Sequence, residues 1–145
     1  MFKHLLVPID GSPTSQLAVD KAVGLAKAFG STVTVLFVVD PYPFTGVGTD
    51  FAYGQTQYLS AARAEASTAL AAARQAMEAA GIKVKATLVE SHSTWRGILD
   101  AAESGGCDLI VMGSHGRSGI EKLVLGSVAQ RVVSHAAVAV MVVRG

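Results

Sequence analysis

The chain has 145 residues, enough for one domain with a sizeable core and too few for two of ordinary size. Half of the residues are apolar and 16% are charged, which excludes disorder as the main state, because disorder needs low hydrophobicity and high net charge. Lys and Arg number 12 against 11 Asp and Glu, a net charge of +1 scattered along the chain. It forms no basic stripe of the kind nucleic-acid binders use.

Cys107 is the only cysteine, so no intrachain disulfide can form and a reducing compartment is the natural home. The longest apolar run, 136–143, falls far short of the roughly 20 residues that span a bilayer. The opening MFKHLLVPIDGS has too short an apolar stretch for a signal peptide. These readings predict a soluble, cytoplasmic, single domain over 1–145, with no nucleic acid and no membrane insertion.

Short apolar runs alternate with helical patterns. The first run, 4–9 (HLLVPI), reads as a strand. Ser12-Pro13 then opens a helix, with Ser as cap and Pro in the first turn, and Gly30 stops it. Residues 32–39 (TVTVLFVV) read as a second strand, apolar on both faces like a parallel strand covered above and below.

The stretch 40–58 (DPYPFTGVGTDFAYGQTQY) resists the pattern, with three glycines, two prolines and five of the nine aromatics. It is expected to be a long connection, either an Ω-like loop packed on its own aromatics or a lid or partner surface. A second helix over 59–80 places Leu59, Ala62, Ala66, Leu70, Ala73 and Met77 at spacings of three and four, before Gly81. Strands follow at 84–89, 109–112 and 138–143, and helices at 94–103 and 127–134. The order β-α-β-α-β-α-β-α-β predicts a doubly wound α/β fold with right-handed crossovers.

The most informative segment follows the fourth strand: Gly113-Ser-His-Gly116-Arg-Ser-Gly-Ile-Glu-Lys-Leu-Val-Leu-Gly126-Ser127. Glycines at a strand's carboxyl end let backbone N–H groups approach an anion without a Cβ in the way. Gly126-Ser127 opens a helix, whose N-terminus offers unpaired N–H groups and the positive end of its dipole. The Ser127 hydroxyl can cap that helix or meet a phosphate oxygen, and Arg117 adds a cation. The pattern is neither a Walker A loop nor GxGxxG. Taken alone it is equally a glycine-rich turn before an ordinary helix.

The first strand ends Val7-Pro8-Ile9-Asp10-Gly11-Ser12, putting a carboxylate at its carboxyl end. In doubly wound sheets, ligands sit outside the carboxyl ends of strands where the winding direction reverses. Asp10 could therefore accept from a ribose hydroxyl or an adenine amino group, or cap the first helix.

Gly113, Gly116, Gly126 and Ser127 match Gly-x-x-Gly, nine residues, Gly-Ser without a gap. That motif, with the opening PxDGS, the LFVVD strand end and the terminal VAVMVVR strand, resembles the nucleotide-binding branch of the universal stress protein (UspA) family from end to end. The resemblance implies a five-stranded parallel sheet in the order 3-2-1-4-5, with strands 1 and 4 at the switch point. It also implies an ATP site, with Mg²⁺ accompanying the nucleotide. Asp10 and the Val38 backbone would hold adenine and ribose beside Pro8 and Ile9, and Met112 and Gly113 would line the ribose. Gly116, Arg117, Gly126, Ser127 and the Val128 amide would take the phosphates. His115 would either shape the turn or touch the ribose-phosphate. Residues 91–95 (SHSTW) depart from the Gly-x-Pro turn common in the family, which leaves the outer wall of the site open.

Catalytic equipment is sparse: no P-loop lysine and no Walker B-type acid are present, and Ser127, Asp10 and Asp40 are the few candidate metal ligands. His4, His92, His115 and His135 lack metal spacing, and no Gly-x-Ser-x-Gly elbow exists. The last strand would lie at a sheet edge, where pairing with its own copy would cover it. The family likewise resembles a dimer through this strand. The expected protein is an ATP-binding, homodimeric stress-response regulator or adaptor with an unknown protein partner. A slow ATPase or phosphotransferase and an AMP or cyclic AMP sensor stand as alternatives.

Overall fold

The computed structural model describes residues 1–41, 49–115 and 125–145, and their side chains except those of 49–53. Among these, the elements in order are β1 (His4–Pro8), α1 (Pro13–Phe29), β2 (Thr32–Val39), α2 (Thr49–Ala79) and β3 (Val84–Glu90). They continue with α3 (Thr94–Ser104), β4 (Leu109–Gly113), α4 (Ser127–His135) and β5 (Ala139–Val143). All strand pairs are parallel and the sheet order is β3-β2-β1-β4-β5, the order implied above. The winding direction reverses between β1 and β4.

Strand alternation divides the core into two layers. Leu5, Val7, Val33, Val35, Leu109 and Val111 face α1 and α2, where they meet Ala18, Val19 and Ala22 of one helix and Ala66, Leu70, Ala73 and Met77 of the other. Leu6, Leu36, Ile110 and Met112 point to the opposite face, against Ile98 and Ala102 of α3 and Ala129 and Val132 of α4. β1 and β4 are buried on both faces, which is why they read as unbroken apolar runs. The edge strand β3 is only half covered.

α1 starts and stops as its sequence dictates. Ser12, in extended conformation, accepts from the Ser15 amide at 3.2 Å, and Gly30 adopts φ 66° at the C-cap. The second helix departs from expectation. It begins at Thr49, within the stretch assigned above to a connection. After Pro43 no proline intervenes, and adding turns to an established Ala-rich helix costs little once it is nucleated, so the helix runs back through Gly54. Residues 42–48 of that stretch lie outside the described residues.

Candidate functional site

A cavity of about 290 Å³ opens at the carboxyl ends of β1 and β4. β1 and the turn after it contribute Pro8, Ile9 and Asp10; β2 contributes Val38; β4 and its exit contribute Met112, Gly113 and His115; α4 contributes Gly126, Ser127 and Val128. The fold thus brings ten of the twelve sequence-predicted site residues around one space. The other two, Gly116 and Arg117, lie outside the described residues. Six further residues line the cavity that no motif singled out: Ser15, Leu36, Thr94, Ile98, Ser114 and Ala129. Thr94 and Ile98 come from the first turns of α3. The available signal was positional, since a helix that follows a strand at this end of the sheet presents its N-terminus to the crevice.

The floor is apolar and the rim polar. Leu36, Ile98, Met112 and Ala129 are all buried beneath the cavity, giving a surface that suits a flat ring. Asp10 is half-buried at one side. Its Oδ1 accepts from the Ser12 amide at 2.9 Å, closing a short turn that passes through Gly11 at φ 82°. Ser12, and not Asp10, caps α1, which settles the choice left open by the sequence. Asp10 therefore keeps its second carboxylate oxygen for another donor.

The opposite side is built by α4. Its N-cap is Gly126, at φ −64° and ψ 160°, and among the described residues no side chain caps the helix. The Gly126 amide is taken by the Ser114 carbonyl at 2.7 Å, and the first bond within the helix is from the Gln130 amide to the Gly126 carbonyl, 2.9 Å. The amides of Ser127, Val128 and Ala129 consequently have no acceptor within the helix. All three residues line the cavity. Such an N-terminus attracts an anion through amides that are unpaired within the helix and through its dipole. The exposed Ser127 stands at N1 with its hydroxyl uncommitted to a cap.

Gly113 is small for a reason other than the one its motif suggests. A Cβ there would lie 2.9 Å from the backbone carbon and oxygen of Thr14 and from the Thr14 hydroxyl. The missing side chain lets α1 close onto the end of β4, where the Thr14 hydroxyl donates to the His115 carbonyl. His115 pairs its Nδ1 with the Ser114 hydroxyl at 3.0 Å, while its Nε2 is buried with no partner among the described residues. An unpartnered buried ring nitrogen is costly and suits a ligand or water contact.

A second hollow, about 440 Å³, lies on the α3 side of β2 and β3. It is lined by Lys85, Glu90 and Asp100, a charge set that offers an anion no attraction. Among the described residues, no cluster of three or more His, Cys, Asp or Glu could hold a metal. No helix among them is long and apolar enough to cross a membrane.

The architecture is that of a doubly wound α/β protein with a cavity at the topological switch point. The chain belongs to the universal stress protein family, whose model matches residues 1–144. A universal stress protein of Methanocaldococcus jannaschii is 34% identical over 144 residues, spanning 99% of this chain and 83% of that protein. The solved universal stress protein UspA from Lactobacillus plantarum superimposes with a TM-score of 0.88 at 28% identity, covering 99% of this chain and 98% of that one. A universal stress protein solved in complex with cAMP has the same fold, with a TM-score of 0.73 at 24% identity over 99% of this chain and 97% of that one.

Proposed function

We propose that this chain binds an adenine nucleotide, ATP first among the candidates, in the switch-point cavity and acts as a nucleotide-dependent regulator or adaptor in the stress response. The observation that carries this reading is the pairing of two unlike walls across one space: the Asp10 carboxylate on one side and the glycine-capped N-terminus of α4 on the other. A carboxylate suits ribose hydroxyls or an adenine amino group, and free helix amides suit phosphate. Asp10 and the Val38 backbone hold adenine and ribose, with Pro8, Ile9, Met112 and Gly113 around them. Gly126, Ser127 and Val128 receive phosphate, joined by Gly116 and Arg117. Mg²⁺ would arrive with the phosphates, with the Ser127 hydroxyl as the protein oxygen on offer beside them.

The reading favours regulation over efficient catalysis because the chain has no P-loop lysine and no Walker B-type acid to neutralise a leaving phosphate. An AMP or cAMP preference is the second reading, supported by the fold neighbour solved with cAMP. We extend the proposal to a homodimer through β5, whose edge position and half-exposed Met141 invite a covering strand. A cytoplasmic location accords with the lone cysteine.

The test is to purify the protein gently, denature it and chromatograph what is released, beside the Gly116→Val/Gly126→Val double variant. Adenine nucleotide from wild type alone supports the cradle, and its identity names the ligand. If both emerge empty and calorimetry detects no binding of added ATP, AMP or cAMP, the proposal fails. Timed conversion of ATP to ADP addresses catalysis: a per-minute turnover abolished by Ser127→Ala would replace the regulator with a slow ATPase.

A further inference from the structure

The two helices that wall the cavity carry a second feature on a different surface. Trp95, in the first turn of α3, is half-buried against the α3/α4 core. His135, at the end of α4, stacks on it with ring centroids 4.6 Å apart and planes inclined by 32°. Two guanidinium groups lie over the same indole, with Arg96 Cζ 5.0 Å and Arg131 Cζ 5.9 Å from its centroid. Arg96, Arg131 and His135 are exposed. None of the three forms an ion pair among the described residues, whereas Arg63 and Arg74 are each matched to a glutamate. Asp100, one turn along α3 from Arg96, is exposed and pairs with neither arginine. The His135 Nδ1 donates to the Arg131 carbonyl at 2.9 Å, tying the ring to the same turn of helix.

This arrangement has the chemistry of a recognition site. Stacking on an indole orders a guanidinium plane in advance, so less side-chain entropy is lost when its donors are engaged. A planar guanidinium matches a carboxylate with two parallel hydrogen bonds. Trp and Arg are also the residue types that dominate binding energy at protein interfaces. The whole chain carries +1, so without these two arginines the remainder sums to −1. The positive charge is therefore a local spot and not a track of the length a nucleic-acid backbone needs. We propose that the Trp95, Arg96, Arg131 and His135 face of α3 and α4 docks an acidic segment of a partner protein, carboxylates pairing with the two guanidinium groups and an apolar neighbour resting against Trp95. The docking chemistry does not depend on nucleotide binding. Thr94 and Val128 nevertheless join the two sites, since each lines the cavity and precedes a docking residue on the same helix by one residue or one turn.

Trp95 is the one tryptophan of the chain and so reports on this face directly. The full chain would be titrated with a short fluorescein-labelled peptide of Glu and Leu, followed by anisotropy. The unlabelled peptide would be followed by Trp95 emission. Saturable binding is expected, with a shift in that emission, roughly tenfold or greater weakening in Arg96→Glu/Arg131→Glu, and severalfold weakening on raising the salt. Arg96→Lys/Arg131→Lys should fall between, since it keeps charge and loses the planar fork. Far-UV circular dichroism of each variant should match wild type. A Lys–Leu peptide should not bind. Absence of saturable binding, or equal binding by the charge-reversed variant, overturns the proposal. So does tighter binding of oligothymidylate that the same substitutions abolish, which would reassign the face to nucleic acid.

Discussion

Gly113→Ala tests whether the switch point is held by packing or kept open for a ligand. The added Cβ would sit 2.9 Å from the carbonyl carbon, carbonyl oxygen and hydroxyl oxygen of Thr14, where non-bonded carbon contacts normally start near 3.5 Å. Two of those three atoms are backbone, so no rotamer change relieves the clash and the first turn of α1 must move. That movement also strains the bond from the Thr14 hydroxyl to the His115 carbonyl. Overpacking of this kind costs about 1–3 kcal/mol. With an unfolding entropy of about 0.3 kcal/mol/K for a chain of this length, 2 kcal/mol corresponds to a fall in Tm of about 7 °C. Thermal melts and urea titrations by circular dichroism read the effect. Gly24→Ala is the internal control, since Gly24 lies in α1 with nothing within 4 Å of its would-be Cβ; it should gain about 0.5–1 kcal/mol from helix propensity. A Gly113→Ala protein melting within a degree of wild type would refute the packing argument. If it also lost nucleotide, the glycine would instead serve ligand approach.

Other expectations follow from single residues. Burial pushes the Cys107 thiol up to about 11, with Asp108 adding to the effect. Iodoacetamide at neutral pH should therefore alkylate the native protein roughly a hundredfold more slowly than the unfolded chain, and equal rates by mass spectrometry would contradict this. Burial holds the His4 imidazole below its ordinary value, with Asp108 opposing and Lys85 reinforcing, while Thr32 and Thr34 occupy its two ring nitrogens. The unfolded chain then binds the proton more readily, so this contribution is complete above about pH 6.5 and is lost as pH falls through the lowered native value. His4→Asn should flatten the decline in Tm between pH 7 and pH 5; an unchanged slope would rule out His4 as its source. The Arg63–Glu90 pair joins α2 to β3 with side chains 52% and 35% exposed. Glu90→Gln should shift stability by no more than about 0.5 kcal/mol in urea, and a loss several times larger would show a buried role.

The strands were legible to within a residue or so because each is a short apolar run ended by a turn former, and β2 reads the same at both ends, 32–39. The apolar stripe of α2 was legible for a similar reason: Ala66, Leu70, Ala73 and Met77 recur with the helical period and all four are buried. The start of α2 was not. Local composition at 40–58 favours a turn-rich connection, and cooperative extension from the downstream helix prevails over it from Thr49 onward. At the site, Asp10, Gly126 and Ser127 could be named from spacing, because a carboxylate at a strand end and a glycine before a helix carry their chemistry locally. Thr94, Ile98 and Ser15 could not, since they reach the cavity only through helix packing. Nor could the pairing of Trp95 with Arg131 and His135, which lie on helices separated by a whole strand. The sequence by itself determined the order of elements, their apolar faces and the glycine motif, all of which are short-range properties of the chain. The tertiary structure alone decided why Gly113 has no side chain and which charges meet over Trp95, because each depends on the distance between segments far apart along the backbone.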